Sequence, residues 1–458
     1  MNKKILAAAV AGALALPGLA LAQSNVTISG FIKADVGYIN IGSPNQGTAG
    51  AAPGTAAAGR AGLQTHDYQV EDGGPSRFRL TMQEDLGGGL FALGQLEMRP
   101  DLTGRNSNGS VNMPTGSSAG NQWVGLQSST MGTIRFGSVD QYYLEGGGYG
   151  GLYGPIDAVL GNLNGYVNTS APGSVQFGEG AQTRTRSVIH YDSPNFSGFT
   201  FQFGYGLGAA GTGGNNDLNT NVSRGYTLYL SPRYNGGNWN IGWNYYRDFA
   251  TISGFKGTAA TGVYATAAQA AAAGATAVVG TGGGNNALNY SFANSPNSVV
   301  DATLNRVYGE FTVGGFSIMA SVDKAKLDIA SGIVIGPGLG TNLSTRTTWI
   351  LSGKYDMGPH EFWLGYAHAG DTSGDTAVAN GSDGATQWNV GYAYLFSKRT
   401  SIGFGYTKIS NKSGGYYSLP NEEPATSSLT GSGYNVTNSA SLVGEKPSYI
   451  GMSMRHLF

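Results

Sequence analysis

The chain contains no cysteine, few charged residues and no long hydrophobic run after its N-terminus. Asp, Glu, Lys and Arg together make up 12% of its 458 residues. Without disulfides, its stability has to come from backbone pairing and side-chain packing. The formal net charge is −1, and a chain this close to neutral is not expected to bind nucleic acid. No later stretch approaches the roughly 20 apolar residues that a membrane-spanning helix requires.

The N-terminus predicts a secretory signal peptide over residues 1–22. Lys3 and Lys4 precede an apolar run at residues 5–16, and Ala20-Leu21-Ala22 supplies small residues for cleavage. A membrane anchor is the alternative, but the apolar run is short for a spanning helix. We therefore expect one domain over residues 23–458.

Aromatic residues and glycine are abundant and follow a two-residue period. The chain has 76 Gly, 26 Tyr and 18 Phe. In residues 26–40 the even positions are mostly apolar, whereas the odd positions include Lys33 and Asp35. The same alternation recurs at residues 76–84, 90–99, 199–205, 239–245 and 388–394. Alternation of this kind predicts β-strands with one apolar face. A mean hydropathy of −0.16 is compatible with a transmembrane β-barrel, whose apolar and polar positions average out.

The connections between these strands alternate between short and long. Short turns are expected near 85–89, 128–132, 193–197, 235–238, 314–315, 356–360 and 396–400. Long loops are expected near 42–74, 100–120, 139–183, 209–223, 249–300, 330–343, 370–385 and 411–445. This rhythm is typical of outer-membrane barrels. It predicts an all-β fold, a transmembrane antiparallel β-barrel of about 16 strands with long outer loops. A soluble secreted sandwich or β-helix is the alternative, but neither explains the rhythm.

The stretch at residues 133–191 carries the candidate site. Arg135 lies on one predicted strand, Arg184, Arg186 and His190 on the next, and a long loop at 139–183 joins them. We expect this loop to fold into the lumen as a constriction, because glycine-rich loops of such length are usually functional or disordered. Side chains alternate between the two faces of a strand, and we call the use of this alternation parity. The predicted pore-lining and constriction residues are Lys33, Arg77, Arg79, Arg135, Arg184, Arg186, His190, Asp140, Glu145 and Asp157.

Arginines facing loop carboxylates would set up a transverse field that orients dipolar solutes and tunes ion preference. Alternatively, single arginines pin the loop to the wall through ion pairs, and both roles can coexist. His190 could titrate near neutral pH and act as a gate.

Other chemistry is not indicated by the sequence. The five histidines lie in no nucleophile motif, so we expect no enzyme. The glycines at 146–151 lack the Lys-Ser/Thr end of a phosphate loop. We predict no cofactor and no structural metal site. Loop acids such as Asp371, Asp375 and Asp383 could hold Ca²⁺ or bridge lipopolysaccharide, although solvated charge is the simpler interpretation.

Several segments resemble the general porins of the Gram-negative outer membrane. These are NVTISGFIKADVGY (25–38), SRFRLTMQEDLGGGLFALGQLE (76–97), NQWVGLQSSTMGTIRFGS (121–138), RSVIHYDSPNFSGFTFQFGYG (186–206) and GMSMRHLF (451–458). The resemblance implies a homotrimer of sixteen-stranded barrels in the outer membrane, with the third outer loop folded inward. It also implies that Phe458 is read by the barrel-assembly machinery. The chain departs from the family at His190, where relatives often have arginine.

Together these observations predict a water-filled outer-membrane channel for passive diffusion of ions and small hydrophilic solutes. Outer-membrane lipid and lipopolysaccharide are the expected surroundings. The alternatives are a sugar- or anion-selective channel and a surface-loop adhesin on a barrel scaffold.

Overall fold

Sixteen strands form a closed antiparallel barrel. The computed structural model describes residues 25–40, 66–71, 76–98, 100, 120–141, 184–207, 224–252, 298–329, 343–371, 373–374, 384–412 and 446–458. The predicted signal peptide and residues 142–183 of the predicted constriction loop lie outside these ranges. Within them, no helix is long and apolar enough to span a membrane.

The barrel strands are numbered in chain order. They are β1 (Asn25–Asn40), β2 (Arg77–Gly87), β3 (Leu90–Met98), β4 (Gln122–Ser128), β5 (Gly132–Asp140), β6 (Arg184–Asp192), β7 (Phe199–Gly206), β8 (Arg224–Asn235), β9 (Trp239–Ile252), β10 (Ser298–Val313), β11 (Phe316–Ile329), β12 (Leu343–Met357), β13 (His360–Ala369), β14 (Ala385–Leu395), β15 (Thr400–Asn411) and β16 (Ser448–Leu457).

Each strand pairs with its neighbours in sequence, and β1 closes the barrel by pairing with both β2 and β16. We call the junction of β16, β1 and β2 the seam. At its C-terminal end the amide of Gly30 donates to the carbonyl of Phe458, and the amide of Phe458 donates to the carbonyl of Gly30, both at 3.1 Å. Closure satisfies the backbone polar groups of the terminal strands, which lipid could not do.

The predicted rhythm of connections is confirmed. Strand pairs are joined by turns of two to six residues at 88–89, 129–131, 193–198, 236–238, 314–315, 358–359 and 396–399. Glycines in the left-handed region make the tightest of these turns, for example Gly314 (φ 57°) and Gly358 (φ 62°). The long connections leave the opposite end of the barrel, which is the arrangement of outer-membrane barrels.

Two short strands lie within connections that the sequence predicted as loops. His66–Glu71 pairs with residues 35–40 of β1, and Ser373–Gly374 pairs with residues 344–345 of β12. The loop predictions for 42–74 and 370–385 are wrong at these positions, because β1 and β12 extend beyond the residues that pair with β2 and β13 and so offer free strand edges. Lys33 lies between the part of β1 that pairs with residues 66–71 and the part that pairs with β2, and its amide donates instead to Ser76 Oγ at 3.0 Å.

The outward face of the barrel is apolar and carries aromatic groups near both ends. Toward the short turns, rings pair as Tyr191–Phe201, Tyr234–Trp239 and Phe316–Tyr355, with centroids 5.7, 5.4 and 4.2 Å apart. Toward the long connections they pair as Tyr226–Phe249, Trp349–Tyr366 and Tyr366–Trp388, at 5.3, 5.1 and 4.5 Å. Aromatic side chains prefer the two interfaces of a bilayer, so the apolar band between them is the lipid-facing surface.

Candidate functional site

The inner face of the barrel is polar and the outer face is apolar. On β11, Phe316, Ile318 and Val322 are more than half exposed, whereas Asp323 and Ser321 on the other face are 9% exposed or less. On β1, Lys33 is fully buried between exposed Ile32 and Ala34. The alternation predicted from sequence therefore places charged side chains on the inner wall.

Arg135 and Asp192 form the centre of one inner-wall network. Arg135 on β5 donates from Nε to Asp192 Oδ2 on β6 at 2.9 Å, and a terminal guanidinium nitrogen contacts the same oxygen. Gln202 on β7 donates to Asp192 Oδ1 at 2.8 Å. The Arg135 guanidinium also lies over the Trp123 ring, 5.1 Å from its centroid. Arg135 is thus positioned by a carboxylate of the wall.

His190 connects this network to the start of the predicted constriction loop. Its Nε2 lies 3.4 Å from Asp192 Oδ1, and its Nδ1 lies 3.4 Å from Gln141 Nε2. Gln141, the residue after β5, is buried and packs on Gly204, where an added Cβ would lie 1.8 Å from its Nε2. The chain therefore leaves β5 along the inner wall.

A second group gathers three predicted cations at the barrel seam. Lys33 on β1 lies directly opposite Arg455 on β16. Arg77 on β2 lies opposite Phe31, and its guanidinium is 5.0 Å from the centroid of that ring. Arg79, two residues along, donates to Glu97 Oε2 on β3 at 2.9 Å. The seam thus carries four cations on three adjacent strands, and sequence reasoning missed Arg455.

Inner-wall cations also occur on the far side of the barrel. Arg306 on β10 is fully buried and donates to Asp323 Oδ1 on β11 at 2.6 Å. Arg346 on β12 is 2% exposed. Sequence reasoning missed Arg306, Arg346 and Asp192. Parity applied to residues 298–313 would have found Arg306, since Val307, Phe311 and Val313 make the opposite face apolar, and all three are exposed in the structure.

The remaining predicted residues are placed only in part. Asp140 ends β5, where its carboxylate accepts from the Asn121 amide at 3.0 Å. Arg184 and Arg186 lie on β6, where the pairing with β5 shifts register near Ser187 (φ 52°). Val188 is buried on one side of this shift and Thr185 on the other, so the buried positions change from even to odd residue numbers. This bulge breaks the strict parity from which their inward orientation was predicted. Their orientation stays a prediction, and Glu145 and Asp157 lie outside the part of the chain described.

Comparisons with known proteins agree with this geometry. The family described as Gram-negative porin matches residues 7–414. An outer membrane porin protein of Bordetella pertussis is 31% identical over 221 residues, 46% of this chain and 49% of that protein. Outer membrane porin protein 32 of Delftia acidovorans is 30% identical over 244 residues, 50% of this chain and 56% of that protein. The chain thus spans about half the length of the curated relatives it matches.

Solved structures share the fold. An anion-selective porin from Comamonas acidovorans superposes with a TM-score of 0.60 at 19% identity, covering 95% of this chain and 100% of that one. OmpT of Vibrio cholerae superposes with a TM-score of 0.53 at 13% identity, covering 95% and 98% of the two chains. At these identities the likeness concerns the fold.

Proposed function

The chain belongs to the Gram-negative porin family, and on that premise we propose that it forms a water-filled outer-membrane channel. Ions and small hydrophilic solutes cross it by passive diffusion, without chemical conversion. One observation carries the proposal: buried polar and charged side chains line the inner face around the whole barrel, while the outward face is apolar. A barrel of sixteen strands is wide enough to hold an aqueous channel.

We propose in addition that the channel prefers anions, because cations line its inner wall. Lys33, Arg77, Arg79 and Arg455 lie together at the seam, where Glu97 accepts a hydrogen bond from Arg79. A row of cations lowers the energy of anions in a pore. The similar porin of Comamonas acidovorans is described as anion-selective, which supports this second, narrower proposal.

Residues 142–183 form the constriction in this proposal. Support comes from Gln141, which turns onto the inner wall beside His190. Glu145 and Asp157 then supply carboxylates opposite Arg135, Arg184 and Arg186.

The assembled protein is proposed to be a homotrimer surrounded by outer-membrane lipid and lipopolysaccharide. Phe458 is proposed as the signal for the barrel-assembly machinery. Its backbone pairs with Gly30 and its ring lies 6.1 Å from that of Phe78, so the proposed signal becomes part of the seam once the barrel closes.

Recordings in planar bilayers test the proposal. We expect conductance to rise in steps of three and to scale linearly with bulk KCl conductivity, with a reversal potential in a salt gradient that shows anion preference. Saturable block by one solute would favour a solute-selective channel. A folded barrel that passes no ions would contradict the proposal and favour a surface-loop adhesin.

A further inference from the structure

The His190 ring lies in the inner wall with a carboxylate beside one of its nitrogens and an amide beside the other. The side chain is 1% exposed. Its Nε2 lies 3.4 Å from Asp192 Oδ1, and its Nδ1 lies 3.4 Å from Gln141 Nε2. Each ring nitrogen of a histidine donates or accepts according to where the protons are. The two neighbours therefore decide which protonation states of the ring the site can hold.

These contacts fit the neutral ring. An ionised carboxylate only accepts hydrogen bonds, so Nε2 carries the proton and donates to Asp192. Nδ1 then accepts from the amide group of Gln141. Gln202 donates to the same Asp192 oxygen at 2.8 Å, and Arg135 donates to the other oxygen at 2.9 Å. With His190 neutral, the charges of Arg135 and Asp192 cancel, so the network carries no net charge.

The same site accommodates the charged ring after one rotation. Nδ1 of an imidazolium carries a proton and needs an acceptor. Gln141 is 1% exposed, and its Oε1 is buried without a hydrogen-bond partner. Half a turn of the Gln141 side-chain amide exchanges its NH2 group and Oε1, which brings that oxygen to Nδ1. The missing side chain of Gly204 leaves room for this amide, since an added Cβ would lie 1.8 Å from its Nε2.

The other neighbours of the ring do not replace these two partners. Arg135 lies directly opposite His190 on β5 and opposes a second cation, but its guanidinium is paired with Asp192. Tyr229 on β8 stacks on the imidazole with ring centroids 6.1 Å apart and adds no charge. The carboxylate of Asp140, at the end of β5, accepts from an amide beside β4. Asp192 thus supplies the negative charge next to the ring.

From this geometry we propose that His190 and Gln141 form a proton-dependent selectivity site of the channel. Histidine is the side chain that ordinarily changes its charge between about pH 5 and 8. Proton uptake gives the network a net positive charge, and the turned Gln141 amide accepts from Nδ1. The side chains of Arg135 and Asp192 are 21% and 22% exposed, so the added charge acts on the lumen.

A positive wall charge favours anions in a pore. Anion preference therefore rises as the pH falls. This inference rests on the proposed channel function and names residues that regulate it.

Nitrogen NMR of the imidazole rings tests the site without relying on conduction. In the folded protein in detergent, we expect the His190 ring to carry its proton on Nε2 at about pH 8 and to be protonated on both nitrogens at about pH 5. His190→Gln assigns the signal. Gln141→Leu removes the acceptor and should keep the ring neutral to lower pH, whereas Gln141→Glu supplies a permanent acceptor and should keep it charged to higher pH.

Reversal potentials in a KCl gradient then test the effect on selectivity. From about pH 8 to about pH 5, the ratio of chloride to potassium permeability should rise about fourfold in the wild type, because a unit charge roughly 10 Å from an ion in water favours an anion about twofold and disfavours a cation about twofold. His190→Gln should lose this rise, and any rise that remains measures the other titrating groups.

His456→Gln is the matched control. His456 is exposed on the outward face of β16, where its Nδ1 lies 2.9 Å from the Thr400 hydroxyl. This variant should keep both the His190 signal and the rise in anion preference.

The possible results separate the site from the channel. A ring that stays neutral at about pH 5, or that titrates identically in both Gln141 variants, would overturn the proposal. The full rise in anion preference in His190→Gln would also overturn it. A wild type whose ring titrates as expected but which passes no ions would contradict the channel and leave the proton site in place.

Discussion

Arg135 and Asp192 are 57 residues apart in sequence and form an ion pair on adjacent strands of the inner wall, with Nε and Oδ2 2.9 Å apart. The wall itself therefore supplies a carboxylate to the arginine that was predicted to face only loop acids. Any transverse field in the channel has to include this acid. Because both side chains are partly exposed, the pair meets the solution in the lumen.

Removing the charge of Asp192 and removing the charge of Arg135 should shift the ion selectivity of the channel in opposite directions. We expect Asp192→Asn to move the reversal potential in a KCl gradient toward stronger anion preference, since Arg135 loses its counter-charge. Arg135→Gln should move it toward cations, and so should neutral residues at Arg184 and Arg186. The double variant Arg135→Gln/Asp192→Asn is the control and should lie close to the wild type. Identical reversal potentials for all variants would exclude Arg135 from the permeation path.

Gly242→Ala should destabilise the barrel. Tyr308 packs against Gly242, and an added Cβ would come within 2.3 Å of its Cζ and hydroxyl oxygen. Overpacking of this kind typically costs about 1–3 kcal/mol of unfolding free energy, measurable by urea unfolding in detergent micelles. Gly309→Ala is the matched control, because its Cβ would meet only Asn240 O at 3.5 Å. Equal stability of the two variants would contradict the contact.

Asp371 should make stability depend on pH at the outer rim. It lies beyond the end of β13, where it accepts from Lys412 Nζ at 2.6 Å and from the Gly384 amide at 2.8 Å. Burial raises the pKa of this carboxyl, but the hydrogen bonds from Lys412 and Gly384 and the charges of Lys412 and Arg346 outweigh burial, leaving the pKa below its ordinary value of 3.8.

A depressed carboxyl pKa stabilises the folded state above the unfolded value of about 4, and this contribution is lost as the pH falls through the folded pKa. Asp371→Asn should therefore melt below the wild type at pH 7, and the gap should close as the pH falls below about 4. Thermal melts across this range measure it. A gap that stays constant with pH would show that the carboxylate charge is not involved.

Two changes at Phe458 should separate assembly from stability. Phe458→Ala keeps the paired backbone hydrogen bonds to Gly30, whereas deleting the residue removes both. If the ring is the signal, both variants should assemble slowly in cells, and only the deletion should markedly weaken the barrel refolded in detergent. Normal assembly of Phe458→Ala would exclude the ring as the signal.

Much of the fold follows from the sequence because a barrel wall imposes a strict two-residue period. Parity alone predicted that Lys33, Arg77 and Arg79 face inward, and the turn lengths set the strand number. Parity cannot reveal pairing partners, since these depend on register between distant segments. Asp192 as the partner of Arg135 is one example. The bulge near Ser187 is another, because an extra residue interrupts the alternation from which the faces of Arg184 and Arg186 were predicted.

Cysteine accessibility shows whether alternate residues of each strand face water and lipid. The chain has no cysteine of its own, so single replacements report without background. Gln95 shares the inward face of β3 with buried Glu97, and its neighbour Leu96 is 45% exposed on the outward face. In lipid vesicles, Gln95→Cys should react with a charged, membrane-impermeant thiol reagent and lose conductance, whereas Leu96→Cys should react only with an apolar reagent. Equal labelling of both positions by the charged reagent, or the reverse pattern, would contradict the account.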